Sequence, residues 1–459
     1  MLKGKKIHFV GAGGIGMSAL ALLAKDSGAI VTGCDLVAGK AVELLRKNGI
    51  HVEIGHSPEH ISDADIVVYT SAVPKNHPEL VAARDKHKKL ISREHMLSTV
   101  MEQKRGVGIT GAHGKTTTTW LVSRILIQAG FDPTVLVGGL VDEISGNFRT
   151  GAGEVFVTEV DESNGIVASF KPFAAVVTNV DDEHLDHFTD RHDMAAAIRR
   201  FCERAAKGGV IVLSADDPIL KKMAGPLRKT RPDLKVFTVG FAKDADATLV
   251  QKGKGKGVLT VPGFGKLNLK IQLLGNHNLH NAALAAVATL NLGAPHKVVI
   301  KALASAHGVH RRQELIAKTA GVSIYEDFGH HPTEMIATYH SLKDQVKGRF
   351  IVVFQPHRYT RTKALWDRFI EALSHFDYVI LMDIYAASES PIEGITSAEL
   401  ARDAIKKGLK VQYISRAYLV VEHLASIVKP GDTVLALGAG SVGEIAHALA
   451  RRLEDPGQD

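Results

Sequence analysis

Cysteine is nearly missing from this chain: only Cys34 and Cys202 occur in 459 residues. Two thiols so far apart exclude a disulfide framework and a site built from thiolates, so a reducing compartment is expected. No apolar run approaches the ~20 residues that cross a bilayer. The opening Met1-Leu2-Lys3-Gly4-Lys5-Lys6 enters a short strand without the apolar stretch and cleavage site of a signal peptide. The expectation is a cytoplasmic protein with no membrane partner. Neither sign of charge dominates, since 56 basic residues face 49 acidic ones and the net charge of +7 suits small anionic substrates. The single basic tract, 252–256 (KGKGK), lacks interleaved aromatics, so it reads as a solvated hairpin loop and no nucleic-acid partner is expected.

What is present is globular and glycine-rich. Hydrophobic residues are 45% and charged ones 23%, and 43 glycines against 15 prolines suit an α/β protein with many tight turns. The length predicts about three domains. Three times a short apolar strand runs into a glycine-rich turn and then a helix: 6–10 into GAGGIGM (11–17), 106–110 into GAHGKTTTT (111–119), and 433–437 into GAGSVGE (438–444). Such units build parallel sheets whose strand C-termini gather phosphates. Further buried strands are expected at 65–70, 155–159, 174–178, 210–213, 350–354 and 378–383, and 258–273 alternates as a β-hairpin. The basic segment 102–105 and a change of pattern near 308–312 divide the chain into domains 1–102, 103–312 and 313–459. The fold class expected is α/β with three domains: an N-terminal Rossmann-like domain, a central P-loop-type ATPase domain and a C-terminal Rossmann-like domain.

Gly11, Gly13 and Gly16 satisfy G-x-G-x-x-G, and Asp35 follows the next strand, where an acid meets a ribose in dinucleotide domains. The loop suits any nucleotide diphosphate, NAD included. A second, different phosphate loop about a hundred residues later argues against a dehydrogenase. In it, Gly111, Gly114, Lys115 and Thr116 fall where amides cradle phosphates, Lys115 meets the γ-phosphate and the Thr116 hydroxyl binds Mg²⁺. Ile109 stands where the first glycine of the usual pattern would be. A second Mg²⁺ contact is expected from Glu159, Asp161 or Glu162 at the next strand end, with at least one of the three starting a helix instead. The segment 178–187 forms another polar strand end; a zinc reading of His184, Asp186 and His187 lacks a spaced Cys/His set.

These residues resemble the Mur ligase family, the ATP-dependent amide ligases of peptidoglycan precursor synthesis, over nearly the whole chain. The matching segments are GAGGIGMSALA (11–21), TSAVP (70–74), GAHGKTTTT, EVDES (159–163), NVDDEHLDHF (179–188), GNHNLHNAALA (275–285), GVHRR (308–312), DFGHHPTE (327–334) and FQPHRYTRT (354–362). The last is more similar to the alanine-adding branch than to the branch attaching a preformed tripeptide. The resemblance implies ATP and Mg²⁺ as cofactors, UDP-N-acetylmuramate and L-alanine as substrates, and a monomer or homodimer. It implies that Gly11, Gly13, Gly14, Ile15, Gly16, Asp35, Ser71 and His184 hold the UDP-linked substrate. ATP would lie on Gly111, Ala112, His113, Gly114, Lys115, Thr116, Thr117, His277, Asn278, Asn281, Arg311 and Asp327. Thr116, Glu159 and His184 would serve the metal, and Lys115, His331, Arg358 and Arg361 the catalytic step. Phe328 and Gln313 stand where the family usually has aromatics, tyrosine at the first. The segment 195–201 offers no lysine for the carbamylation some relatives carry. The competing expectations are the tripeptide-adding ligase, a nicotinamide-dependent dehydrogenase, and a P-loop switch that turns over ATP without making an amide.

Overall fold

The computed structural model describes residues 2–70, 73–162, 165–182 and 188–455. The chain forms two compact units, Met1–Val180 with His192–Val239 and Leu284–Val299, and Asp181–Arg191 with Gly240–Ala283 and Ile300–Asp459.

The first unit holds two sheets. Strands β1 (Lys6–Val10), β2 (Ile30–Asp35), β3 (His51–Ile54), β4 (Ile66–Tyr69) and β5 (Lys89–Ser92) pair in parallel in the order β3-β2-β1-β4-β5. The order reverses at β1, so the crevice at its C-terminal end, where residues 11–17 lie, is the switch point of the sheet. The second sheet uses β6 (Arg105–Thr110), β7 (Thr134–Val141), β8 (Gly146–Arg149), β9 (Val155–Glu159), β10 (Ala174–Val177), β11 (Val210–Ser214) and β12 (Lys235–Gly240). Their order is β12-β11-β10-β6-β9-β7-β8, with only β8 antiparallel. Here the switch falls at β6, directly before the second phosphate loop. Five of the six residues of β6 and all of β10 are buried, which explains why these strands read as continuous apolar runs without alternation.

In the second unit β13 (Ala247–Gly253), β14 (Lys256–Val261) and β15 (Gly265–Lys270) form an antiparallel meander. The basic tract 252–256 is the turn between its first two strands. The remaining strands are β16 (Glu314–Thr319), β17 (Val322–Asp327), β18 (Phe350–Phe354), β19 (Tyr378–Leu381), β20 (Val411–Tyr413) and β21 (Thr433–Leu437), in the order β16-β17-β21-β18-β19-β20. Only β16 is antiparallel. The period-two rule sorts its core: Phe350, Val352, Phe354, Leu435 and Leu437 face one helical layer, and Ile351, Val353, Val434 and Ala436 face the other. Each such buried side chain contributes about 1.5–3 kcal/mol relative to exposure.

Candidate functional site

The phosphate loop of the first unit is built around a helix start with open amides. Gly114 takes a left-handed φ of 80° and caps helix Lys115–Gln128 without a side-chain bond, so its first-turn amides have no side-chain cap. Gly111 has no alternative residue: at φ 126°, a Cβ there would lie 2.3 Å from Thr178 Oγ1. The end of β10 braces the loop, with Asn179 Oδ1 accepting from His113 N at 2.8 Å and Thr178 Oγ1 donating to His113 O at 2.6 Å. Lys115 Nζ donates to Glu162 Oε1 at 2.8 Å and to the carbonyls of Gly111 (2.7 Å) and Ala112 (3.3 Å). Burial acts to lower its pKa, but the Glu162, Asp161 and Glu159 carboxylates outweigh this and hold the ammonium well above the ordinary lysine range. Thr116 Oγ1 donates to Glu159 Oε2 at 3.1 Å, which sets two hard oxygen donors side by side. Thr117 follows one residue into the helix, half-buried.

The three acids after β9 therefore separate. Glu159 joins Thr116, fully buried Glu162 joins Lys115, and Asp161 is exposed. Among the described residues none of the three opens a helix, and the next helical turn described is Ile166–Ser169, capped by Gly165. Sequence reasoning named Glu162 without its partner; an acid three residues beyond a Mg²⁺-type carboxylate was the only signal.

At the N-terminal loop, Asp35 Oδ2 accepts from Gly13 N at 2.8 Å, and a Cβ on Gly13 would stand 2.9 Å from that oxygen. Asp35 thus holds one of the amides that would otherwise face a diphosphate. Gly11 N and Ala12 N both donate to Cys34 O at 2.9 Å, pinning the loop to the end of β2. Gly14 and Gly16 open the following helix, Ile15–Asp26. Ser71, His184 and the Ile15 side chain lie outside the described residues.

In the second unit, Asp327 ends β17. Its oxygens accept from Gln313 N at 2.8 Å and Gly329 N at 2.6 Å. Burial pushes its carboxyl up to about 6, against the opposing pull of Arg312 and these amides. Arg311 is ion-paired with buried Glu326 and donates to the carbonyls of Gly438 (3.2 Å) and Gly440 (2.9 Å), tying the residues before β16 to the third glycine loop. Phe328 receives both guanidinium groups on its ring, Arg311 at 5.1 Å and Arg312 at 4.9 Å, a duty that needs no tyrosine hydroxyl. His331 is fully buried and caps helix Pro332–Leu342: its Nδ1 accepts from Thr333 N at 3.3 Å while Glu334 accepts from His331 N at 3.2 Å. Asp181 Oδ2 stands 3.5 Å from the same Nδ1 and accepts from Thr333 Oγ1 at 2.6 Å.

Arg358 and Arg361 follow β18. Arg358 takes φ 70°, and its amide donates to Tyr385 O at 2.8 Å as helix Tyr359–Ala364 begins. Arg361 Nη1 lies 3.1 Å from His357 Nδ1. The His357 ring stacks on Tyr385 at 5.5 Å and approaches His330 at 5.4 Å, so the segments 327–331 and 355–361 meet at one place. His277 stands apart from them. It lines a cavity of about 500 Å³ with Gln251, Lys254, Gly275 and Ser341. Burial lowers its imidazole to about 4, so it is neutral near pH 7. Asn278 and Asn281 do not line that cavity; they are buried and hold the helix start through Leu274 O (2.7 Å) and through each other (3.3 Å).

Comparison with known proteins covers the chain from end to end. Residues 6–105 match the model "Mur ligase family, catalytic domain", 109–289 the "Mur ligase middle domain", and 311–440 the "Mur ligase, glutamate ligase domain". The UDP-N-acetylmuramate--L-alanine ligase of Desulforamulus reducens is 36% identical over 461 residues, covering 99% of both chains. That of Rhizobium etli is 38% identical over 460 residues, 98% of this chain and 97% of its own. The crystal structure of UDP-N-acetylmuramate-alanine ligase from Thermotoga maritima superposes with a TM-score of 0.80 at 27% identity, covering 99% of this chain and 100% of that one. A murein peptide ligase from Psychrobacter arcticus shares the fold, with a TM-score of 0.73 at 22% identity over 99% of this chain and all of its own. With full-length identity of this size joined to three successive family domains, the chain belongs to the Mur ligase family.

Proposed function

We propose that the protein is an ATP-dependent ligase that joins L-alanine to the lactyl carboxylate of UDP-N-acetylmuramate. The observation that carries this reading is likeness to alanine-adding ligases over 98–99% of the chain, joined to a phosphate loop in which Lys115 and Thr116 each meet an acid. A carboxylate does not acylate an amine in water, because oxide is a poor leaving group. Phosphorylation by ATP makes an acyl phosphate and ADP; the amine then attacks, and the tetrahedral anion collapses to the amide with loss of phosphate and a proton.

In this reading residues 1–102 hold the UDP-linked substrate through the glycine loop, with Asp35, Ser71 and His184 assisting. Residues 103–312 hold ATP, and 313–459 supply the groups for the amino acid and the reacting carboxylate. The amides of 111–117 and Lys115 cradle the phosphates; His277, Asn278, Asn281, Arg311 and Asp327 serve the nucleotide. Arg358 and Arg361 bind the carboxylate and acyl phosphate through their planar forks, with His331 beside them. The adjoining oxygens of Thr116 and Glu159 fit Mg²⁺, with His184 as a further ligand. When bound, the ion neutralises charge on the phosphate oxygens and the departing ADP. The protein acts as a monomer or homodimer in the cytoplasm, on small molecules alone; among the described residues no helix is long and apolar enough to cross a membrane.

A coupled phosphate-release assay with UDP-N-acetylmuramate and a panel of amino acids tests the proposal. Release should require both the sugar nucleotide and L-alanine. Turnover indifferent to any amino acid identifies a nucleotide switch, and stimulation by the tripeptide instead of alanine moves the protein to the other branch.

A further inference from the structure

Beneath the N-terminal glycine loop, the first sheet and helix Pro78–Asp85 enclose a cluster that the ligase chemistry does not use. His8 on β1, Cys34 on β2, His60, and Glu79 on the helix each offer one donor atom, and these atoms all lie within 4.8 Å of one another. His8, Cys34 and Glu79 are buried, with side-chain exposure of 0% for Glu79. Cys34 Sγ is 3.0 Å from Glu79 Oε2, and His60 Nδ1 is 2.9 Å from Glu79 Oε1. His56 Nδ1 lies 3.2 Å from Cys34 Sγ, and His77 packs edge-on against His56 at 4.4 Å between ring centroids.

Two features distinguish this from an ordinary polar network. A fully buried carboxylate has no lysine or arginine partner among the described residues, only imidazoles, a thiol and the Ser57 amide at 3.1 Å. A charge so buried normally requires a full counter-charge. His8, at 1% exposure, has its Nδ1 engaged by Thr32 Oγ1 at 2.8 Å, and its buried Nε2 has no hydrogen-bond partner. An imidazole anchored at one nitrogen with the other unused is the usual posture of a metal-binding histidine.

We propose that His8, Cys34, His60 and Glu79 form a tetrahedral site for one zinc-class divalent cation, with His56 and His77 packed around it. Bond lengths of ~2.0–2.3 Å to nitrogen, oxygen and sulfur place tetrahedral ligands roughly 3.2–3.6 Å apart, against 3.0 Å between Cys34 and Glu79, 2.9 Å between His60 and Glu79 and at most 4.8 Å for any pair. The cation displaces the thiol proton to solvent, forming the sulfur–metal bond. Thiolate plus carboxylate then balance the dication, leaving a neutral buried centre. His56 and His60, with side chains 15% and 18% exposed, provide the entry. Cys34 also carries the loop, since its carbonyl accepts Gly11 N and Ala12 N, and the next residue, Asp35, binds Gly13 N. Occupancy therefore stiffens the strand end that shapes the loop. The inference is independent of the ligase reading.

The test uses the full chain, stripped with a chelator and titrated with Zn²⁺ and with Co²⁺. One equivalent should bind, releasing about one proton, and Co²⁺ should show the intense near-ultraviolet thiolate charge-transfer band of a tetrahedral centre. That band separates this site from any oxygen-ligated cation near Thr116. Cys34→Ser should abolish the band, His60→Asn should weaken affinity by ~10²-fold or more, and Cys202→Ala should leave both unchanged. Zn²⁺ should raise the melting temperature of the wild type but not of Cys34→Ser, so a destabilised variant still reports. Absence of stoichiometric binding, or a band that persists in Cys34→Ser, overturns the proposal and leaves the cluster an internal hydrogen-bond network.

Discussion

Replacing Lys115 by alanine tests the phosphate loop through two quantities that should move for different reasons. Glu162 is fully buried and its charge partner is Lys115, whose side chain is 18% exposed. Removing one member of a buried pair costs about 3–5 kcal/mol, because the remaining charge is left uncompensated. The partial exposure of Lys115 points to the lower end, about 3 kcal/mol. At about 2–4 °C per kcal/mol for a body of this size, the melting temperature should fall by roughly 6–12 °C. Ligation should fall by ~10²-fold or more, as expected when a pre-aimed cation is taken from a transferring phosphoryl group. Adding Glu162→Gln to Lys115→Ala keeps the buried shape and removes the stranded charge. The double variant should recover most of the melting temperature and none of the ligation. Binding of UDP-N-acetylmuramate, assigned to the other sheet of the same unit, should survive in both by calorimetry. A single variant melting within 2 °C of wild type would refute the buried-pair argument. A double variant ligating within tenfold of wild type at saturating ATP would refute the phosphate role.

Three further outcomes are expected. Arg361→Lys keeps the charge but loses the planar fork, so ligation should fall well below wild type while ATP binding by calorimetry is retained; wild-type rates across alanine concentrations would make Arg361 a surface residue. Asp327, held up to about 6 by burial against an unfolded value near 4, binds more protons folded than unfolded between those values. Its contribution is fully present below about pH 4 and lost as pH rises through about 6, roughly 3 kcal/mol in all. Asp327→Asn should therefore lose that part of the decline in urea stability between pH 4 and 7, and equal declines in both proteins would sink the argument. NAD and NADP should fail to bind, since the second phosphate loop, where Lys115 and Thr116 each meet an acid, suits an ATP-using ligase and not a dehydrogenase; micromolar affinity by titration, without affinity for UDP-N-acetylmuramate, would reverse the functional reading.

The local pattern of the chain was enough to find the strands that carry the loops. Apolar runs such as 350–354 and 174–178 are buried on both faces, and a strand in that setting needs no alternation to be recognised. Glycines 111 and 114 announced the phosphate loop because backbone conformation and close approach admit little else there. Family resemblance then attached roles to residues such as Asp327 and Arg361 that periodicity could not distinguish.

Only the tertiary structure decided which polar groups meet. Three acids within four residues at 159–162 look equivalent along the chain, yet parallel pairing of β6 with β9 sends Glu159 to Thr116, while Glu162 folds back beneath Lys115. Asp35 reads along the chain as an acid at a strand end, and the neighbouring positions of β1 and β2 bring its carboxylate onto the Gly13 amide. His8, Cys34, His60 and Glu79 come from four separate segments with no spacing that a sequence could display, so two sparse cysteines gave no sign of a cluster of mixed donors. Secondary structure follows from short-range sterics and hydrophobic period, which a sequence carries openly. The partners of a buried charge are set by sheet order and register, which appear only when distant segments pack.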